Sequence, residues 1–414
     1  GYIGTYAEPK RYYVADVDKQ WDVWTSRYVL YGLLTYQQYY PNSKVMTACE
    51  KLADLLINTY TPDGRNITDA GTRHGLSALT LLESMAMFYQ MTGEEKYLHF
   101  AEHMLERSEH KSGLKVMSQL LNGESVMTIG DGKAYQLMAV LMGSLRLYQA
   151  TGEQKYFDVV KTAWDDIEKN HLTIAGGPWG IGKKDLSDLN RVADGIGDTR
   201  ECLSPPEYFI PNAAVEGCAA TSWVQLSEMM LEITGEAKYA HHAEQTILNN
   251  TMTAQHKEGL YGSYFLWFNT QNTQNIKNMN CCNSSRPRAF EEYARHRVGI
   301  IEGGLSFSSL MPGHVDIPAE LGGGKLVVSG NCPVAPNTTI KFEQTAGKKF
   351  AVEFCAPWNA DLKSVAFNGQ PVIPRKNARG FYSLEQVWKE GDKLDIAFSY
   401  PDRKSTRLNS SHYS

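Results

Sequence analysis

Thr92-Gly93-Glu94-Glu95-Lys96-Tyr97 recurs as Thr151-Gly152-Glu153-Gln154-Lys155-Tyr156 and as Thr234-Gly235-Glu236-Ala237-Lys238-Tyr239. Each copy separates two segments whose apolar residues repeat with helical period. A glycine closes a helix in the left-handed conformation, and an acidic residue suits the positive end of the next one. The motif therefore reads as the short turn of an αα-hairpin, used three times. Working outward, it predicts helix pairs over 74–91 with 94–107, 131–150 with 153–170, and 213–233 with 236–251. A degenerate copy, Pro41-Asn42-Ser43-Lys44, joins helices over 21–39 and 45–60, and 284–297 is one further helix. Leu137-Met138-Ala139-Val140-Leu141-Met142 is apolar around most of a helix, as expected for the inner ring of a toroid. The expected fold is mainly α, an (α/α)6 barrel. About nine helices are counted where a closed barrel needs twelve, so roughly three are expected to belong to a missing N-terminal part.

Helical period ends near Gly304. Ser306–Leu310, Lys325–Ser329, Thr339–Phe342, Phe350–Cys355 and Lys393–Phe398 read as short strands between Gly, Asn and Pro turns. Asn368-Gly369 is a hairpin signal. A β-sandwich is expected after the helical part. The predicted division is 1–303 for the barrel, 304–402 for the sandwich and 403–414 for a non-native tail, because Arg403-Lys404-Ser405-Thr406 breaks off from the β pattern. The loops 108–130, 171–212 and 255–283 are long, and such connections are usually functional.

Among 414 residues, 42% are hydrophobic and 21% charged, the values of an ordinary globular chain with a large core. A net charge of -5 with no Lys/Arg run argues against nucleic acid and against a membrane surface. No run of ~18 apolar residues reads as a membrane span. The 23 Tyr and 8 Trp suit sugar platforms and equally an aromatic core. Seven cysteines are an odd number and too few for a disulfide scaffold in a chain this long, so reduced thiols are expected. Cys332 and Cys355 read as structural.

Two of the thiols are adjacent in Asn280-Cys281-Cys282-Asn283. The pair allows three readings: buried thiols, a redox couple, or two soft ligands for one metal. Val215-Glu216-Gly217-Cys218 supplies a carboxylate and a third thiol, so Glu216, Cys218, Cys281 and Cys282 could complete four ligands for Zn²⁺. Glu216 and Cys218 are expected in the first turn of the helix over 213–233.

With the turn repeats, Thr173-Ile174-Ala175-Gly176-Gly177, Ile210-Pro211-Asn212, Glu216-Gly217-Cys218 and Cys281-Cys282-Asn283 in this order, the chain resembles glycoside hydrolase family 127, the β-L-arabinofuranosidase family, from Gly1 to about Ser399. The resemblance implies zinc on Glu216, Cys218, Cys281 and Cys282, with Cys281 as nucleophile. It implies a glutamate acid/base before the Pro-Asn element, where Glu201 stands and Glu207 is the alternative. Two carboxylates do this work in ordinary retaining glycosidases; here a thiolate would replace one of them. At three sugar-contacting positions the chain departs from the family's histidines and carries Leu33, Ala78 and Lys133. His74 could compensate for Ala78 or be a surface residue. Lys133 could bind a carboxylate or hydroxyl, or be a solvated lysine after a turn. Trp179 and Tyr264 are candidates for the sugar pocket, with Trp267 and Phe268 beside the latter, while Trp223 reads as core. Arg286 and Arg288 could supply positive potential to the thiolates or pair with Glu291 and Glu292.

These readings describe a fragment, truncated at both ends, of a retaining glycosidase with zinc, acting on β-L-arabinofuranose or a similar sugar of plant glycans. An alternative is a lyase or epimerase on uronic-acid sugars, since such barrels host those reactions too. A second is a carbohydrate-binding scaffold with structural zinc. The partner expected is an oligosaccharide or glycan, without nucleic acid or membrane; a homodimer stays open. The compartment, bacterial periplasm or cytoplasm, is not readable from this terminus. An incomplete helical ring is expected to expose apolar surface and to aggregate.

Overall fold

The computed structural model describes residues 1–12, 21–61, 65–110, 114–180, 203, 214–256, 258–259, 262–267 and 281–401. The chain forms two compact units, Gly1–Leu226 with Asn249–Pro287, and Ser227–Leu248 with the chain from Arg288 onward.

The first unit is helical. Its long helices are α1 (Asp22–Tyr39), α2 (Ser43–Thr59), α4 (Leu81–Thr92), α5 (Glu95–Glu109), α7 (Ala134–Thr151) and α8 (Gln154–Asn170), with short α3 (Leu76–Leu79) and α6 (Val116–Leu121) between them. In the inner layer α4 packs on both α1 and α7, while α2, α5 and α8 each back the helix before them. This alternation of inner and outer helices builds an α/α-barrel wall. Its cause is visible in the side chains. Leu137 to Leu145 of α7 are buried without a break, whereas α5 and α8 keep one apolar stripe and a charged outer face. Where α7 meets α4, Gly143 lets the helices close to backbone contact; a Cβ there would stand 2.8 Å from Glu83 N.

All three repeated turns have one geometry. The glycines, Gly93, Gly152 and Gly235, have φ of 70°, 73° and 66°. The preceding threonine hydroxyl donates to the carbonyl four residues back, from Thr92 to Phe88, Thr151 to Leu147 and Thr234 to Met230. It also accepts the N–H of Glu94, Glu153 or Glu236, at 3.2 Å each time. The lysine ammonium lies 4.8, 4.7 and 4.7 Å from the following tyrosine ring centre, a cation–π contact. These glutamates, at which the sequence expected the helices to begin, sit in extended conformation at the N-cap, so that each helix starts one residue later. The fourth turn also holds, with Asn42 Oδ1 accepting from the N–H groups of Lys44 and Val45 as an N-cap.

Two expectations are corrected here. The helix over 74–91 is divided at Thr80 into α3 and α4, and His74 precedes it in a left-handed conformation at φ 59°. The loop over 108–130 contains α6 and a 3₁₀ turn, Val126–Thr128, which is held because Val126 N–H donates to Asp166.

From Val298 the second unit is all β. A six-stranded sheet has the order β10 (Gln370–Val372), β9 (Asp361–Phe367), β13 (Lys393–Ser399), β7 (Asn337–Thr345), β6 (Gly324–Gly330), β5 (Gly313–Ile317). A five-stranded sheet runs β11 (Arg375–Lys376), β12 (Tyr382–Val387), β8 (Lys349–Phe354), β4 (Gly304–Phe307), β3 (Val298–Ile301). Every pairing is antiparallel except β4 with β8. Alternate residues of both sheets meet in one core around Trp388, which stacks on Phe342 at 4.4 Å and donates from Nε1 to Phe350 O. The Asn368-Gly369 turn, at φ 50° and 78°, joins β9 to β10 as the sequence predicts. Cys332 and Cys355 are buried.

Candidate active site

In the first unit two short strands and two helix starts bring the sequence-distant motifs together. Strand β1 (Ala214–Glu216) pairs antiparallel with β2 (Phe265–Trp267), so Glu216 lies opposite Phe265. Gly217 N–H donates to Tyr264 O at 2.9 Å, which carries Tyr264 to the carboxylate. Helix α9 (Gly217–Thr234) begins at once, with Cys218 in its first turn. Helix α10 (Cys281–His296) begins with the cysteine pair itself.

That placement corrects two expectations. Glu216 ends a strand, and the cysteines open the helix instead of preceding it. Successive residues of a helix point ~100° apart. Cys282 is therefore fully buried while its neighbour Cys281 is exposed.

Glu216, Cys218, Cys281 and Cys282 place their donor atoms within 4.8 Å of one another, a set that can hold a metal ion. Cys282 Sγ is 3.6 Å from Cys218 Sγ and 4.0 Å from Cys281 Sγ. Ser285 Oγ lies 3.2 Å from Cys218 Sγ. Tyr264 Oη bridges the set, 3.6 Å from Cys281 Sγ and donating to Glu216 Oε1 at 3.5 Å.

Two cations serve these anions. Lys133, buried to 4%, donates from Nζ to Glu216 Oε2 at 2.9 Å. The reading of Lys133 as a solvated lysine is corrected, since the residue is buried, and the carboxylate it binds here is the protein's own Glu216. Asp131 fixes its backbone by accepting the Lys133 N–H, and the Lys133 carbonyl starts α7. Arg286 is 2% exposed and its charge acts on Cys282, Cys218 and Glu216; it donates to Ser263 O and Asn250 Oδ1. Of its two expected roles the structure favours potential at the thiols.

The three thiols are driven apart electrostatically. Hydrogen bonds with Cys218 and Cys282, then Tyr264 and the Lys133 charge, hold the Cys281 thiol well below the usual range. The bond with Cys281 pushes Cys218 up, and burial pushes Cys282 up. The exposed sulfur is thus the one favoured as thiolate, and it stands at a helix N-terminus, which also favours an anion.

An aromatic corner, of which the sequence singled out only Tyr264, closes one side. Trp24 and Tyr28, four residues apart on α1, pack with Tyr135 and Tyr264 against Cys218 and Cys282. Trp24 meets Tyr28 at 5.2 Å and Tyr135 at 5.6 Å edge to face, and the Tyr28 and Tyr135 hydroxyls hydrogen-bond. The i, i+4 spacing on an otherwise weakly amphipathic helix is the signal that could have found them.

The other sequence candidates separate. Glu201, Glu207 and Phe268 lie outside the described residues. Trp179 is buried at 2%, His74 is exposed, Ala78 is buried and Leu33 half-buried. Trp223 is core, stacked on Trp164 at 5.0 Å. No described helix is long and apolar enough to cross a membrane.

Residues 1–295 match the β-L-arabinofuranosidase GH127 catalytic domain and residues 312–400 the GH127 middle domain. No curated protein matches the sequence. Among solved structures, a GH127 β-arabinofuranosidase superposes with a TM-score of 0.74 at 17% identity, over 93% of this chain and 61% of that one. A protein titled glycoside hydrolase gives 0.72 at 17%, over 92% and 64%. A GH127 β-L-arabinofuranosidase from Geobacillus stearothermophilus T6 gives 0.69 at 16%, over 93% and 63%. The chain thus spans less than two thirds of the length of each. Two adjoining domain matches that run through the helical unit and the sheets, on a fold shared with these structures, show that the chain belongs to glycoside hydrolase family 127, the β-L-arabinofuranosidase family.

Proposed function

We propose that this protein is a retaining, exo-acting glycoside hydrolase that releases β-L-arabinofuranose or a similar sugar from plant glycans. Cys281 is its nucleophile and Glu216, Cys218, Cys281 and Cys282 hold a zinc ion. The observation that carries the reading is the convergence of these four donors, with Cys281 the one exposed sulfur. The donors fit zinc: sulfur–metal bonds of 2.3 Å in a tetrahedron require sulfurs ~3.8 Å apart, and Cys282 Sγ lies 3.6 Å from Cys218 Sγ and 4.0 Å from Cys281 Sγ, with all four donors within 4.8 Å of one another. When bound, zinc would keep the thiols deprotonated and fix the nucleophile's position.

The chain's own residues account for the chemistry. The Cys281 thiolate attacks the anomeric carbon, forming a C–S bond as the glycosidic C–O bond breaks. Glu201, assigned through the family resemblance, gives its proton to the departing oxygen. It then takes a proton from the water that attacks the same carbon, and Cys281 leaves as thiolate. Two inversions give net retention. Trp24, Tyr28 and Tyr135 supply apolar surface for the sugar's C–H face.

The test is zinc content with hydrolysis of p-nitrophenyl β-L-arabinofuranoside, in the wild type and in Cys281→Ser and Glu201→Gln. About one zinc per chain, with turnover lost in both variants while the fold persists, supports the assignment. Turnover surviving Cys281→Ser would exclude Cys281 as the nucleophile, and cysteine-independent activity on a uronic-acid glycan with this substrate untouched would point to a lyase or epimerase. Sugar bound without turnover would point to a scaffold.

A further inference from the structure

The zinc reading leaves a charge problem. Three thiolates and a carboxylate around a divalent ion sum to a net charge of two negatives, and a buried uncompensated charge is strongly unfavourable. Two buried cations stand against this set. Lys133 donates to Glu216 Oε2 at 2.9 Å, while Oε1 lies on the side of Tyr264, whose hydroxyl donates to it at 3.5 Å and stands 3.6 Å from Cys281 Sγ. Arg286 fills the space in front of Gly217, the residue between two of the ligands, where a Cβ would approach Nε to 2.7 Å. Gly262 clears its other flank, with a Cβ there 2.9 Å from Arg286 Cδ. The Arg286 Nη2 is buried without a hydrogen-bond partner among the described residues, so the guanidinium is held for its charge rather than for a full set of bonds.

We infer that Lys133 and Arg286 are positioning residues for the metal, bringing the occupied donor set to neutrality. The inference rests on the zinc reading above and adds the requirement for these two cations. A competing picture predicts the opposite sign: if Lys133 merely rivals the metal for Glu216, removing it tightens binding.

Zinc affinity, measured by competition with a chromophoric chelator on the intact chain, decides between them. Lys133→Met is expected to weaken zinc by about tenfold or more, in the range seen when partners of metal ligands are lost. Lys133→Gln, which keeps a hydrogen bond to Oε2 but no charge, must weaken zinc as well; if it binds like wild type, charge is not the cause and the inference fails. Unchanged or tighter zinc in a folded Lys133→Met overturns it, as does a lower melting temperature of the metal-free protein with affinity intact, which marks a structural role only. A wild type that takes up no zinc removes the zinc reading itself, which distinguishes that failure from this one.

Discussion

The Arg286 guanidinium occupies the volume that Gly217 leaves vacant, 2.7 Å from where a Cβ would stand. Gly217→Ala therefore forces a buried side chain off its Ser263 and Asn250 acceptors. A loss of about 1–3 kcal/mol is expected from overpacking, read from urea unfolding of the metal-free protein. Unchanged stability would mean that the guanidinium has room elsewhere.

Gly143→Ala and Gly32→Ala should differ in sign. Both glycines are helical, and alanine favours a helix by up to ~1 kcal/mol. At 143 a Cβ meets Glu83 N at 2.8 Å, so α4 and α7 must separate, whereas at 32 nothing lies within 4 Å. Denaturation midpoints should fall for the first and rise for the second.

Glu83 sits between two arginines, hydrogen-bonded to Arg27 and 3.9 Å from Arg146. Arg27→Met leaves the carboxylate buried without its nearest countercharge. Breaking such a pair is expected to cost about 3–5 kcal/mol. A double variant, Arg27→Met with Glu83→Met, should recover much of that loss in the same unfolding measurement.

Alkaline conditions should weaken the second unit. Burial pushes Glu228 up to about 8 and Glu244 up to about 7 from an ordinary 4.5. His296 rises to about 8 from 6.5 against its burial, through Glu232, Glu228 and Glu292. In each case the folded state keeps a proton that the unfolded chain releases. The stabilisation is complete below the unfolded values and is lost as pH rises through the folded ones. Melting temperature should thus decline from about pH 5 to about pH 8, and Glu228→Gln should flatten the slope. An identical slope in that variant would exclude Glu228 as a contributor.

The helical hairpins were legible because everything that makes them is local: the threonine hydroxyl holds the glutamate N–H, the lysine lies over the tyrosine ring, and the glycine takes the left-handed conformation. Asn368-Gly369 was legible for the same reason. The site was legible as a list of residues but not as an arrangement. Cys281-Cys282 read as loop because the helical apolar period begins only after it, and Glu216 read as helix because its pairing partner, Phe265, is remote in sequence. Lys133 lies 83 residues from Glu216, and nothing near either residue announces the pair. Trp24 and Tyr28 were hidden among the many other aromatic side chains that simply fill the core.

The repeated turns also bear on the order in which the molecule comes into being. A turn whose contacts span six residues closes in microseconds or less, while contacts across long loops wait for slow chain closure. Cys218 and Cys282 are 64 residues apart. A newly made chain is therefore expected to own its hairpins well before its three thiols meet, so that the site assembles on a scaffold already standing.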